Sequence, residues 1–422
     1  MGSRYIAGVQ RLTAILACAC AVACGDPPAP AAIRFLHTFS PAETELFNAV
    51  IAERGLTVES SLVPFARGQQ VIGEILATGQ RCPDLIRIDA TWLPGLRAQL
   101  VPVPGELASL DWTPEAAALG QQDGAWWGVP QTVDGLLVVR DAALPAPASP
   151  SIDDVVAAAR AARTPARVHP LGVRVDAYWF VPWLRAGGAD LAPIAIGATR
   201  EVEAPRETGA AQPDAAQPDA AQPDATTHDA AMRDLGAART DAATRALATF
   251  AALFGEVAAP PPAAGSEAPE ELRRFRAGEV AYWITGPWQF GELGDASRIA
   301  VSPLAGAPRG GQLLVVPTCA ARPEQGWRLA AELASVPVAT RLAQAFSTIP
   351  TRTSALAAAP PLARAAADAL RDAVPLPRDP LTPLLFDDLN PALAAVVAKD
   401  ATPEEAIAGV RRGWQRLAGD AR

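Results

Sequence analysis

Histidine is almost missing from this chain, with three among 422 residues. His228 falls in a low-complexity stretch and His169 precedes a proline on an expected strand, so only His37 lies near other polar candidates. No His, Cys, Asp and Glu grouping has metal-ligand spacing, and a metal centre is not expected. Charge is also scarce. Charged residues make up 19% of the chain and the formal net charge is -9, which argues against nucleic acid and against a polyphosphate ligand. There is no glycine-rich phosphate loop and no nucleophile elbow, so neither an enzyme nor a cofactor has positive support. Half of the residues are hydrophobic, ample for one large core or two lobes. Proline, at 41 residues, is well above its usual share of ~5%, and long loops are expected.

Near the amino end, Arg4 and Arg11 precede an uncharged run, Leu12 to Gly25, of 14 residues. A spanning helix needs about 20 apolar residues, so the run reads as a signal-peptide core over residues 1–23. It closes on Ala21-Val22-Ala23-Cys24-Gly25, small residues before a cysteine, which resembles a bacterial lipobox with Cys24 as the lipidated residue; Cys18 is the runner-up. Residues 24–32, rich in Pro and Ala, read as a tether holding a domain off a membrane. Cys18, Cys20 and Cys24 sit in an apolar segment without His or carboxylates, unlike a metal site. Cys82 and Cys319 remain in the folded part, where they either pair in an oxidising compartment or stay as two buried thiols.

Periodicity gives strand Ile33 to Leu36, helix Ala42 to Arg54, strand Leu56 to Leu62, helix Gln69 to Thr78 and strand Asp84 to Asp89. Alternating strands and helices imply a mostly parallel, doubly wound sheet, whose carboxyl edge would hold Thr38, Phe39, Ser40, Asp89 and Trp92. Helix Ile152 to Ala162 and strand Val168 to Val173 continue the pattern. Residues 193–240 carry three Ala-Ala-Gln-Pro-Asp repeats and read as a disordered insertion. Helix Pro269 to Phe275, strand Gln312 to Val316, helices Pro323 to Ala334 and Pro337 to Phe346, and a closing helix follow. Thr402-Pro403-Glu404-Glu405 caps that last helix, with Ile407, Val410, Trp414 and Leu417 as its apolar stripe.

Ten of the 24 aromatic residues fall in three windows: Trp126-Trp127, Tyr178 to Trp183, and Tyr282 to Phe290. Aromatic faces pack on the C–H faces of a pyranose and carboxylates bind its hydroxyls, so this clustering suits a sugar cleft or, alternatively, a core. Trp327 and Trp414 sit on amphipathic helices and read as core, whereas Trp288 follows Gly286-Pro287 at a turn and can face a cleft. The nearby carboxylates are Asp89, Asp134 and Asp176. Two carboxylates flanking a sugar would also describe a glycosidase, which requires one raised pKa and a defined separation.

Six blocks carry a resemblance. Phe65-Ala66-Arg67 through Pro83-Asp84-Leu85-Ile86-Arg87-Ile88-Asp89-Ala90-Thr91-Trp92 comes first, followed by Gly128-Val129-Pro130-Gln131-Thr132-Val133-Asp134-Gly135. Then come Tyr178-Trp179-Phe180-Val181-Pro182-Trp183, Phe275-Arg276-Ala277-Gly278-Glu279 through Trp288, Ile349-Pro350-Thr351-Arg352, and Thr402-Pro403-Glu404-Glu405. In this order they resemble family 1 extracellular solute-binding proteins of the maltose/trehalose type, which serve ABC importers. The resemblance implies a two-lobed, type II periplasmic-binding-protein α/β fold with an interlobe hinge. It places 33–134 and 312–350 in the N-lobe, and 135–311 and 351–422 in the C-lobe. It further implies a monomer that hands a sugar to permease subunits from the periplasmic side or the cell surface. Carried over by position, Arg67, Asp89, Trp92, Gln131 and Asp134 would contact the sugar from the N-lobe side, beside Phe39 and Ser40. Tyr178, Trp288, Arg352 and Phe386 would do so from the other. Gln131 and Thr132 stand where sugar-binding relatives often carry aromatics, a departure that thins the stacking platform.

Overall fold

The computed structural model describes residues 32–191, 239–261 and 270–420. The expected signal peptide, the lipidation candidates Cys24 and Cys18, and the Ala-Ala-Gln-Pro-Asp repeats lie outside those residues; 239 and 240 open a helix that runs to 251.

Local chemistry sets the first elements. Strand β1 (Ile33–His37) leads to helix α1 (Pro41–Glu53), started by a capping box in which Ser40 and Glu43 exchange hydrogen bonds and by Pro41 in the first turn. Phe47, Val50 and Ile51 form its buried face. Strand β2 (Val58–Leu62) precedes helix α2 (Phe65–Thr78), whose buried Gly68, Ile72 and Leu76 recur every fourth residue and which stops at left-handed Gly79. Strand β3 (Leu85–Asp89) follows.

The chain then passes between two sheets. Strand β4 (Val129–Gly135) belongs to the first sheet and β5 (Leu137–Asp141) to the second. The second sheet adds β6 (Leu171–Gly172), β7 (Tyr282–Thr285) and β8 (Ile299–Ser302) in the order β8–β5–β7–β6. Strand β9 (Pro308–Val315) returns to the first sheet, which is completed by β10 (Ile349–Pro350) and β11 (Val374–Pro375). Its order is β10–β4–β9–β3–β1–β2, with β11 on β9. Because β9 pairs from Arg309 opposite Gly135, the return to the first sheet is made before Gln312.

The expected two-lobed α/β architecture is present, but its sheets are mixed rather than mostly parallel. Pairing is parallel for β1 with β2 and β3, whereas β9 runs antiparallel to β3 and β4, and β10 antiparallel to β4. The chain path explains the correction: β4 leaves the first lobe at the edge where β9 enters it, so the two must run in opposite directions. Strand Val168 to Val173 shrinks to β6 for a local reason. Pro170 has no N–H to extend the ladder, although its carbonyl accepts from Ala281 and Tyr282.

Among the described residues the chain passes between the two sheets at Gly135-Leu136 and again between Ser302 and Pro308. Leu136, Leu137, Val138 and Val139 are fully buried and belong to a core that continues from Ile72 and Ile88 to Phe180 and Trp283. In the second lobe, helices α3 (Ile152–Ala161) and α4 (Ala177–Ala186) pack near one another. Helices α5 (Pro323–Leu333) and α6 (Val336–Phe346) belong to the first. Helices α7 (Thr382–Ala398) and α8 (Pro403–Asp420) pack together, with Ile407, Val410 and Trp414 buried. Among the described residues no helix is long and apolar enough to cross a membrane.

Candidate functional site

Strand alternation puts Arg87 and Asp89 on one face of β3. Register then sets Asp89 opposite Gln312 of β9, and Asp134 of β4 opposite Gly310. Between Gln312 and Leu313 the β4–β9 register shifts, a bulge that turns Gln131 toward the same group of side chains. Its Oε1 accepts from Arg87 Nε at 2.6 Å. Arg87 also donates from Nη1 to Thr38 Oγ1 at 2.8 Å, lies 3.9 Å from Glu43 Oε1 at the start of α1, and covers the Phe39 ring at 4.6 Å. Gln312 donates to Asp89 Oδ2 at 3.1 Å, and its amide also favours the ionised form of Asp134. Asp89 further accepts from the Thr91 backbone and hydroxyl.

This packing moves the titrations. Burial, reinforced by the Asp89 charge, pushes Asp134 up to about 7. Asp89 is raised too, chiefly by burial, against hydrogen bonds from Thr91 and Gln312 and the charge of Arg87. His37 is lowered to about 4 by burial and by Arg87, and is therefore neutral; its Nδ1 accepts from the Phe39 backbone at 3.3 Å. Burial among carboxylates raises Tyr178 well above the usual phenol range.

The second lobe contributes aromatic rings. Asp176 caps α4 by accepting from the Tyr178 backbone at 2.8 Å, which fixes Tyr178 on the first turn. Its ring meets Trp288 edge-on at 6.3 Å, and Trp179 meets Trp288 at 6.0 Å. Trp288 remains 38% exposed. Gly310 keeps room between the lobes: a Cβ there would sit 3.2 Å from Asp134 Oδ1 and 3.9 Å from the Tyr178 hydroxyl.

The candidates from sequence therefore divide. Asp89, Gln131, Asp134 and Tyr178 come together, with Trp288 beside Tyr178. Phe39 is core, joined to the cluster through Arg87, and the Ser40 hydroxyl caps α1. Trp92 is buried beneath α2, where a Cβ at Gly68 would lie 2.6 Å from its ring, while Arg67 is exposed on the first turn of that helix. Arg352 is taken up by Asp111 and the Trp112 ring, and Phe386 packs half-buried on α7. Of the aromatic windows, Phe180, Trp183, Tyr282, Trp283 and Phe290 are core; Tyr282 donates its hydroxyl to the Pro145 carbonyl.

Sequence reading passed over Arg87, Gln312 and Phe65. Arg87 and Asp89 alternate with apolar residues in Leu-Ile-Arg-Ile-Asp, a signal that a polar pair shares one strand face. Phe65 is 52% exposed at the start of α2, just past the carboxyl end of β2, and stacks on Trp92 at 5.3 Å. Two surface concavities of about 440 and 380 Å³ lie elsewhere, one by His169 and Arg274 and the other by Arg160 and Trp183. Neither includes a residue of the cluster. Among the described residues no group of three or more His, Cys, Asp or Glu is placed to hold a metal ion.

Two lobes joined by crossing strands, with polar groups on one wall and aromatic rings on the other, define a two-lobed ligand-binding protein. Residues 51–369 match the bacterial extracellular solute-binding protein family, and the chain belongs to that family. No curated protein matches this chain. Among solved structures it is similar to the GacH receptor of Streptomyces glaucescens, seen unliganded and with acarbose (21% identity, TM-score 0.72, 92% of this chain and 98% of that one). It is also similar to the maltose/maltodextrin-binding domain MalE of Bdellovibrio bacteriovorus bound to maltotriose (13%, 0.70, 92% and 100%). A third is an ABC transporter solute-binding protein from Thermotoga lettingae bound with α-D-tagatose (19%, 0.66, 92% and 99%). At these identities the likeness establishes the fold.

Proposed function

We propose that this protein captures a sugar between its lobes and delivers it to the permease subunits of an ABC importer, as a monomer anchored by a lipid on Cys24 at the periplasmic side or the cell surface. One observation carries the reading: the Asp89, Gln131, Asp134 and Gln312 wall faces Tyr178 and Trp288 across the lobe boundary. Carboxylates and carboxamides bind hydroxyls while aromatic rings take the C–H faces of a pyranose. The saccharides named for the three similar structures support the same class. Closure about the two crossings would bury the ligand and create the form the permease accepts. No chemical step is required of the protein.

The raised Asp134 invites comparison with a glycosidase acid. However, Asp89 and Asp134 project from one sheet, on the strands either side of β9, so they do not flank a scissile bond from opposite faces. A thermal-shift screen of the purified protein against mono-, di- and trisaccharides tests the proposal. A rise in melting temperature that disappears in Trp288→Ala and in Asp89→Ala supports it. A flat response from a well-folded protein transfers the reading to a non-sugar solute. Incorporation of labelled palmitate that is lost in Cys24→Ser tests the anchor.

A further inference from the structure

Charge in the cluster is out of balance in one direction: one guanidinium, Arg87, stands among the carboxyl groups of Glu43, Asp89 and Asp134. Arg87 commits Nε to Gln131 and Nη1 to Thr38, and its ion-pair partner is Glu43. Its charge is shared among Glu43, Asp134 and Asp89, but only Glu43 lies within ion-pair distance of it. Asp89 receives neutral donors only, from Thr91 and the Gln312 amide. Donation to Asp89 fixes the Gln312 amide orientation. Its Oε1, on a residue only 7% exposed, is then buried without a partner. Gln131, 4% exposed, is oriented by accepting from Arg87, and its Nε2 is likewise unpartnered. The wall thus offers two carboxylates that lack an ion-pair partner of their own and a carboxamide oxygen that lacks a donor, next to one amide N–H₂ that lacks an acceptor.

Buried polar groups without partners are costly, and buried charges without a counter-charge more so. A neutral hydroxyl supplies one hydrogen; an ammonium supplies three, no acceptor and a positive charge. Resting on the sugar-binding reading above, we infer that the cleft selects a saccharide bearing a protonated amine, with the ammonium held by Asp89, Asp134 and Gln312 Oε1 and a neighbouring sugar oxygen held by Gln131 Nε2. The two aspartates are half-buried rather than sealed, and Gly310 leaves space above Asp134, so a ligand group can reach them. Tyr178 and Trp288 then face the rest of the ring, and aromatic faces also attract a nearby cation. Removal from water and the charge of Asp89 hold Asp134 at about 7, as befits a carboxylate pair whose nearby arginine is shared with Glu43.

Isothermal titration of the full chain against chitobiose, N,N′-diacetylchitobiose and maltose tests the inference, at a pH where the chitobiose amines are protonated. The expected result is that chitobiose binds at least about tenfold more tightly than its acetylated form, the scale of a charge-assisted hydrogen bond. In the isosteric Asp134→Asn and Asp89→Asn variants, shown folded by circular dichroism, that preference should collapse. Equal or tighter binding of diacetylchitobiose or maltose by the wild type overturns the inference and leaves sugar binding intact. A preference that persists in both Asn variants overturns it as well, because the amine is then held elsewhere. Absence of binding to all three by a folded protein overturns the inference together with the sugar reading.

Discussion

Burial penalises the ionised Asp134 carboxyl, and the charge of Asp89 adds to the penalty, which is why the acid titrates near 7 instead of near 4. Below the unfolded value the group is protonated in both states and costs nothing. As pH rises toward 7 the unfolded chain ionises first, so folding loses stability through that window, and above it the full penalty persists. Asp134→Asn removes the penalty. It should therefore raise the melting temperature of the free protein at pH 8 more than at pH 5, with a difference on the order of 1–3 kcal/mol after solvent screening. Parallel melting curves for wild type and variant across that range would refute the assignment. Trp288→Ala belongs at the same scale with the opposite signature. Its half-exposed ring contributes little to the core but about 1 kcal/mol or more to stacking on a ligand, so affinity should fall severalfold with the melting temperature nearly unchanged. Asp89 and Trp288 stood out in sequence as a strand end and a turn, whereas Asp134 and Tyr178 stood out through the aromatic windows and the family resemblance. Gln312 lies within a strand and only the register of β9 on β3 brings it to Asp89, whereas the alternation of Leu-Ile-Arg-Ile-Asp already placed Arg87 on the Asp89 face.

At the scale of elements, Gly135 ends β4 at the crossing into β5, where a Cβ would lie 2.6 Å from the Pro308 carbonyl and 3.0 Å from Leu370. Its φ of 158° is also one that side-chain-bearing residues rarely adopt. Gly135→Ala should cost about 2–4 kcal/mol in urea unfolding, since the obstacle is backbone that cannot step aside. Gly73 is the contrasting case: it lies in α2 with nothing within 4 Å of an added Cβ. Gly73→Ala should stabilise the protein by about 0.5–1 kcal/mol through helix propensity and lost unfolded-state freedom. If both substitutions moved stability the same way, the crossing would not be a constrained point. The helices expected from sequence lie within a few residues of their places because caps and apolar stripes are local, and Thr402 with Glu405 forms the expected box; α4 and α7 were not expected. Strand direction was not readable in that way. It follows from where the chain re-enters the first lobe, and no residue in β9 encodes that by itself.

Across the whole molecule, the first lobe is built from segments far apart in the chain, with the second lobe inserted between them. Cys82 and Cys319 are joined by a disulfide with a Cα–Cα distance of 5.9 Å and a sequence separation of 237. It ties the entry of β3 to the loop after β9. Beside it, the fully buried Asp84 accepts from the Arg34 and Arg322 backbones at 2.9 and 3.0 Å and from the Arg322 guanidinium at 2.8 Å. Bond and carboxylate together clamp the two halves of the first lobe, so closure about the crossings can move the second lobe without opening the first. In the chain-entropy description a loop of this length is among those that gain most from cross-linking, with typical effects of about 2–5 kcal/mol. Replacing both cysteines by serine should lower the melting temperature while leaving ligand affinity within about twofold at a temperature where the protein stays folded, because the clamp lies outside the Asp89–Asp134 wall. Reduction with dithiothreitol should reproduce that loss in the wild type and have no effect on the double variant. A large drop in affinity without a change in stability would mean that the disulfide shapes the cleft rather than holding the lobe that carries it.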